Sequence, residues 1–279
     1  MLQDIAPHKF YPEMREAIPA PEDYILYFDG ASVLLDCSGA EPTLPTVAVL
    51  EPFYPAIARH VEYLFAVDER AFFMVTDLEL KERRELRLDS IFTFRQLRPQ
   101  WLAFAVLTGS QLYRWRLTRT FCGRCGDMMT PLTTERALQC GRCRHIEYPR
   151  IVPSVIVGVI DGDRLLMVRH AESAYRRWAL VAGFVEIGET PEDTVRREVM
   201  EEVGLHVTDV SYYGSQPWAL ADLMAMGFFA RLQGSDEITL NRNELSAAQW
   251  IAREDIEPDD DPFSLTQTMI EAFRRGEIS

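Results

Sequence analysis

Seven residues between positions 183 and 204 could do chemistry together: Gly183, Glu189, Arg197, Glu198, Glu201, Glu202 and Gly204. Glu198, Glu201 and Glu202 are spaced i, i+3, i+4, which on a helix places three carboxylates on one face. Clustered anions repel each other unless cations lie between them, and a ligand set made only of oxygen suits Mg²⁺ or Mn²⁺. Such ions neutralise a diphosphate and make a bound water more acidic, which is what pyrophosphate hydrolysis needs. A solvated acidic helix face is the other reading. It gives no reason for Gly183, Glu189, Arg197 and Gly204 to fall at these spacings.

The helix that must position these groups is written around them. Thr190 offers an N-cap hydroxyl, Pro191 suits the first helical position, and Glu192 and Asp193 place carboxylates in the first turn. Gly204 falls where a left-handed C-cap ends the helix. The whole pattern, Gly-x5-Glu-x7-Arg-Glu-Val-x-Glu-Glu-x-Gly-Leu ending at Leu205, resembles the Nudix box. That box marks a family that hydrolyses nucleoside diphosphates linked to another moiety. The resemblance implies that Arg197 pairs with Glu189 and ties the preceding loop to the helix.

Cys122-x2-Cys125 is followed after fourteen residues by Cys140-x2-Cys143. Two such knuckles read as a four-thiolate zinc ribbon, and four protein ligands leave no position for substrate, so this zinc is structural. Gly123, Gly126 and Gly141 supply turns that bring backbone amides toward the sulfurs. His145 is expected at the surface, and the fifth cysteine, Cys37, as a small core residue. A redox dithiol would need only one knuckle. A ribbon that reads nucleic acid is disfavoured by the overall acidity.

The 279 residues are 47% hydrophobic and 26% charged, ordinary for a soluble globular chain long enough for two or three domains. There is no long apolar run, and Met1-Leu2-Gln3-Asp4-Ile5 has no signal-peptide pattern, so a cytoplasmic location is expected. The net charge of −14 argues against broad, nonspecific nucleic-acid binding but leaves room for one nucleotide held on metal ions.

Around these motifs, Tyr24 to Asp36 and Leu64 to Val75 read as strand pairs, and Leu97 to Leu117 as a helix. Pro153 to Ile160 and Arg164 to Arg169 read as strands joined by a turn at Asp161-Gly162-Asp163. Further strands are expected at Leu180-Val181, Val207 to Tyr213 and Met226 to Leu232, with a last helix near Ser264 to Arg275. Strands on both sides of the box helix predict an α/β (α+β) fold.

The order of zinc ribbon, Tyr148-Pro149-Arg150, box and Ser215-Gln216-Pro217-Trp218 resembles the NAD(H) pyrophosphatase branch of the Nudix family. That resemblance implies three parts: an N-terminal degenerate Nudix-like domain (1–118), a zinc ribbon (119–147) and a catalytic α/β/α sandwich with a mixed sheet (148–279). It implies cleavage of NADH or NAD⁺ to nicotinamide mononucleotide and AMP by a homodimer, and for some members removal of NAD caps from the 5′ end of RNA. It carries over Glu198, Glu202, Glu244 and the backbone carbonyl of Ala182 as Mg²⁺ or Mn²⁺ ligands, with Glu201 a ligand or the base. Glu244 is otherwise a surface loop carboxylate. Phe184 matches a stacking aromatic or is a core residue, and Tyr148 matches a substrate contact or packs on a strand. Arg95 matches a substrate-contacting arginine or is solvated. Gln216, Pro217 and Trp218 complete the substrate set.

One segment departs from the family. Where the branch continues Pro-Phe-Pro-x-Ser after the tryptophan, this chain has Ala219-Leu220-Ala221-Asp222-Leu223. Two prolines that pre-set the loop and an aromatic that offers a stacking surface are gone, and Asp222 adds a negative charge. The hydrolytic residues are untouched, but dinucleotide selectivity is open. Two other readings therefore stand beside NADH cleavage: another Nudix substrate such as ADP-ribose, FAD or an NAD-capped RNA, and a weakly catalytic nucleotide sensor.

Overall fold

The computed structural model describes residues 1–80, 83–171, 177–259 and 263–278, with the side chains of 94–96 set aside. The chain divides into two compact units, Leu2–Arg150 and Ile151–Ser279, with Met1 grouped with the second.

The first unit holds β1 (Phe10–Tyr11), β2 (Tyr24–Asp29), β3 (Ser32–Asp36), β4 (Glu62–Val67), β5 (Arg70–Val75) and β6 (Leu86–Ser90), in the sheet order β1-β4-β5-β2-β3-β6. Helix α1 (Val47–Leu50) is a single turn capped by Thr46; α2 (Gln100–Thr118) is the long helix expected from its apolar spacing. Gly109 lets α2 approach the sheet, since a β-carbon there would meet Leu26. Strands β7 (Met129–Pro131), β8 (Leu138–Cys140) and β9 (Ile146–Glu147) form a separate three-stranded antiparallel sheet around the cysteines.

The second unit is a mixed sheet of β10 (Val152–Asp161), β11 (Arg164–His170), β12 (Val181–Phe184), β13 (His206–Trp218), β14 (Leu223–Gln233) and β15 (Leu245–Ala252). Its order is β13-β14-β10-β11-β15, with β12 also paired to β10; β10 and β14 run parallel. Period-2 alternation sends Val155, Val157, Val159, Leu166 and Val168 to one face, where they bury Val195, Val199 and Val203 of helix α3 (Pro191–Val203). Ile160, Leu165 and Met167 go to the other face, against Leu265, Met269 and Phe273 of α4 (Leu265–Arg274). The result is the expected helix–sheet–helix sandwich.

Helix ends follow the sequence. The Thr190 side chain accepts from the Asp193 N–H, Pro191 opens α3, and Gly204 closes it at φ 70°. Ser264 and Gln267 form a capping box at the start of α4. The other end of α4 is held by Glu271, buried, which accepts from Arg274 at 2.6 and 2.8 Å and from Arg275 at 2.8 Å. Among the described residues, no helix is long and apolar enough to cross a membrane.

Candidate active site

Helix α3 packs against β12, and the site forms along that seam. Its sheet-facing stripe is Val195, Val199 and Val203; one position earlier in each of the last two turns stand Glu198 and Glu202, both buried. Glu201 is different. It lies about 100° around the helix from Glu202, and its side chain is 54% exposed. The i, i+3, i+4 face is therefore broad, with two carboxylates pressed into the protein and one at its solvent edge.

Glu198 reaches Gly183 on β12, where a β-carbon would fall on its carboxyl group. Glycine there makes the cradle in which this carboxylate rests. Burial pushes the Glu198 carboxyl above the usual range despite a 2.7 Å bond from Arg197. Glu202 is more extreme. Burial first, then the charges of Glu198 and Glu244, push it up to about 8, with the Ala182 backbone offsetting part of the effect. Its Oε2 is buried with no hydrogen-bond partner.

Arg197 organises the loop as the box resemblance implies. Its Nε and Nη2 grip both Glu189 oxygens at 2.7 and 2.9 Å, Nη2 also donates to the Phe184 carbonyl at 2.9 Å, and Nη1 donates to Glu201 at 3.0 Å. This grip holds the Glu189 carboxyl down at about 2. Thr194, which the sequence reading passed over, adds a 2.9 Å bond to Glu189 from a fully buried position.

Glu244 arrives from a distant loop. The N–H groups of Thr239 and Asn241 donate to the carbonyls of Val203 and Glu202 at 2.9 Å, docking the loop on the end of α3. The Asn241 side chain then donates to Glu244 Oε1 at 3.2 Å and accepts from the Asn243 N–H at 3.2 Å. Asn241 was also missed; its signal is the short Asn-x-Asn-Glu pattern, which reads as a turn stapled by its own side chain. The charge of Glu244 is felt at both Glu198 and Glu202.

The other expected contacts are spread out. Phe184, at the end of β12, is 53% exposed, so core packing does not account for it. Pro217 is exposed and Trp218 half-buried, edge-on to Phe263 at 6.3 Å. Gln216 is fully buried: its amide donates to the Phe263 carbonyl at 3.2 Å and accepts from the Leu265 N–H at 2.7 Å, fastening the start of α4. The departing segment forms a 3₁₀ turn, Ala219–Ala221, followed by Asp222 at φ 55°, whose carbonyl accepts from the Val152 N–H at 2.9 Å. In the first unit, Tyr148 is 55% exposed and donates to Glu135 at 3.2 Å. Arg95 falls in the 3₁₀ helix Ile91–Gln96, and its side chain lies outside the described ones.

The four ribbon cysteines gather their sulfurs within 4.8 Å of one another, with pairs at 3.5 and 3.6 Å. Thiolates on a tetrahedral zinc stand about 3.8 Å apart, given Zn–S bonds of about 2.3 Å, whereas a disulfide needs about 2.05 Å. The arrangement fits zinc. The Arg124 and Cys143 N–H groups donate to Cys122 and Cys140 sulfurs at 3.4 Å. The Cys143 amide leads the effects that bring Cys140 down to about 6, toward the thiolate that zinc binds. Gly126 has φ 75° as a knuckle turn requires; in the second knuckle Arg144 takes that role at φ 62°. His145 stands outside the sulfur cluster, 3.5 Å from Glu147, and Cys37 is half-buried rather than fully buried.

Residues 150–272 match the NUDIX domain family, and residues 118–148 match the NADH pyrophosphatase zinc ribbon domain. The NAD-capped RNA hydrolase NudC of Vibrio parahaemolyticus is 40% identical over 151 residues, 54% of this chain and 58% of that protein. The protein of the same name from Haemophilus influenzae is 35% identical over 182 residues, 64% of this chain and 67% of that protein. A solved NUDIX hydrolase from Nitrosomonas europaea superposes with a TM-score of 0.49 at 22% identity, covering 56% of this chain and 90% of that one. The matched stretch spans only a little over half the length of curated relatives such as the Vibrio protein. A helix–sheet–helix sandwich with the box carboxylates at the α3–β12 seam is the Nudix domain. The chain belongs to the Nudix family, with the zinc ribbon of its NADH pyrophosphatases.

Proposed function

We propose that this chain hydrolyses the pyrophosphate bond of NADH or NAD⁺, giving nicotinamide mononucleotide and AMP, and the same bond at the NAD-capped 5′ end of RNA. The observation that carries the reading is Glu202, whose buried oxygen has no partner and whose neighbours are two further carboxylates. Such a cluster is stable as anions only around cations. Glu198, Glu202, Glu244 and the Ala182 carbonyl would hold Mg²⁺ or Mn²⁺, with Glu201 beside them, and the oxygen-only set fits those ions. When bound, the ions neutralise the diphosphate and acidify water.

The chain's own groups do the rest. Glu201, the solvent-edge carboxylate of the box, takes the proton of the water that attacks one phosphorus, and the bond from that phosphorus to the bridging oxygen breaks. Arg197 keeps Glu198 and Glu201 in place while holding the loop through Glu189. The exposed ring of Phe184 offers a face for a base or the nicotinamide; the family resemblance adds Tyr148 and Trp218 as substrate contacts. The turn at 219–222 replaces a proline-set loop and tunes which dinucleotide is preferred. The reading includes a cytoplasmic homodimer, as the family resemblance implies; light scattering behind size exclusion tests the dimer.

A substrate panel tests the activity: NADH, NAD⁺, ADP-ribose, FAD and an NAD-capped RNA, each with Mg²⁺ and with Mn²⁺, products resolved by chromatography. Nicotinamide mononucleotide and AMP from NADH are expected. Turnover of ADP-ribose or FAD without NADH would move the protein to another Nudix substrate. Tight nucleotide binding with no turnover of any compound would make it a sensor.

A further inference from the structure

The zinc ribbon carries a charge opposite to that of the whole chain. Between positions 114 and 150 stand eight arginines and three acids, in a protein of net charge −14. Both knuckles read Cys-Gly-Arg-Cys, so Arg124 and Arg142 occupy equivalent places. The Arg124 N–H is bonded to the Cys122 sulfur and the Arg142 backbone amide bears on the Cys140 sulfur, which ties both residues to one compact sulfur cluster. Arg144 follows immediately, and all three arginines are exposed.

Three of the neighbouring arginines are already engaged within the protein. Arg116 pairs with Glu62 at 3.1 Å, Arg119 pairs with Glu147 at 2.8 Å, and Arg136 donates to the carbonyls of Pro12 and Leu64. Among the described residues no carboxylate pairs with Arg124, Arg142 or Arg144. Phe121, 65% exposed, stands beside the first knuckle and bridges through its backbone to Met128, 60% exposed. The ribbon's own core of Trp115, Cys122, Met129, Leu138 and Cys140 uses neither side chain.

Unpaired guanidinium groups match phosphate oxygens, and an exposed ring beside them gives a base a surface to stack on. Duplexes keep the faces of their bases stacked inside, and an acidic protein would use the arginines but not the ring. Charges farther apart than about 8 Å are largely screened at physiological salt, so acids elsewhere do not cancel this patch. We propose that the zinc ribbon is a binding surface for single-stranded RNA, with Arg124, Arg142 and Arg144 on phosphates and Phe121 stacked on a base. Its role in holding nucleotides beyond an NAD cap rests on the activity proposed above; the binding itself does not.

The test is fluorescence anisotropy of a labelled, uncapped single-stranded RNA 12-mer on the full zinc-loaded chain over a range of salt. Replacing all three residues together (Arg124→Ser, Arg142→Ser, Arg144→Ser) should lower the slope of log affinity against log salt by about 2, at roughly 0.7 per phosphate contact. The matching Arg→Lys triple should keep that slope. Phe121→Ser should weaken binding roughly tenfold with the slope unchanged. Zinc content and NADH turnover should equal those of the parent in every variant, while KM for NAD-capped RNA rises in the serine triple. Failure of the RNA to bind, equal binding by the serine triple, or equal affinity for duplex RNA or polyglutamate would overturn the proposal. RNA binding that depends on these arginines in a chain that leaves NADH intact would uphold it and sink the hydrolase reading instead.

Discussion

Glu198 lays its carboxyl group on the α-carbon of Gly183, so closely that any side chain at 183 would occupy the same space. The atoms that would have to move are the far end of a flexible side chain, so Gly183→Ala should fold. Glu198 would turn out of its cradle and away from Glu202. Metal affinity should fall at least tenfold and turnover with it, while the melting temperature changes little. Mn²⁺ titration alongside a thermal melt reads both. Unaltered Mn²⁺ affinity would mean the cradle does not set the ligand geometry.

Arg197 serves Glu189, Glu198, Glu201 and the Phe184 carbonyl from one planar fork. Lysine keeps the charge but cannot grip both Glu189 oxygens while donating to the other side. Arg197→Lys should therefore lose roughly ten- to a hundredfold in turnover. Combined with Glu189→Gln, the losses should be far from additive, because both act through the same loop anchor. Additive losses in steady-state kinetics would show that the two act separately.

Glu202 is costly to the protein without metal, being buried, with one carboxylate oxygen unpartnered, and close to two other carboxylates. Glu202→Gln removes the charge at nearly constant volume. In chelator at neutral pH the variant should melt above the parent, yet bind Mn²⁺ weakly and turn over nothing. A variant less stable than the parent in chelator would contradict the assigned strain.

Glu271 sets an acid limit on stability. Its bonds from Arg274 first, and then from Arg275, bring its carboxyl down to about 2, and the group is buried. A depressed folded pKa gives stability that is present above the unfolded value and is lost as pH falls toward 2. Glu271→Gln should cost on the order of 2–3 kcal/mol at pH 7. Most of the difference from the parent should vanish between about pH 4.5 and 2. Urea melts of both proteins at pH 7, 4 and 2.5 measure it, and a pH-independent difference would assign the loss to packing instead.

Much of this was legible in the chain because it is local. An N-cap, a proline, a left-handed glycine and an i, i+4 carboxylate pair all lie within fifteen residues, so backbone geometry alone makes α3 and its charged stripe. The four cysteines are similar, since their spacing and sulfur chemistry leave few other arrangements. Strand β15 was not anticipated: Leu245 to Ala252 has three alanines, a serine and a glutamine and no run of β-branched residues, and its pairing with β11 supplies what propensity does not. The continuation of β13 from Gly214 to Trp218 was missed for the same reason, with bulges between Thr208 and Ser211 and between Tyr212 and Gly214 breaking its alternation.

What the chain determined by itself, then, is the carboxylate-bearing helix and the zinc knot, each set by contacts between near neighbours. The tertiary structure decided which carboxylates share a buried space. It brought Glu244 to Glu202 across more than forty residues and set Glu198 into Gly183. It also turned Gln216 inward to hold the start of α4. Spacing along a helix gives the direction of a side chain, but burial and charge repulsion depend on what the rest of the fold places opposite it.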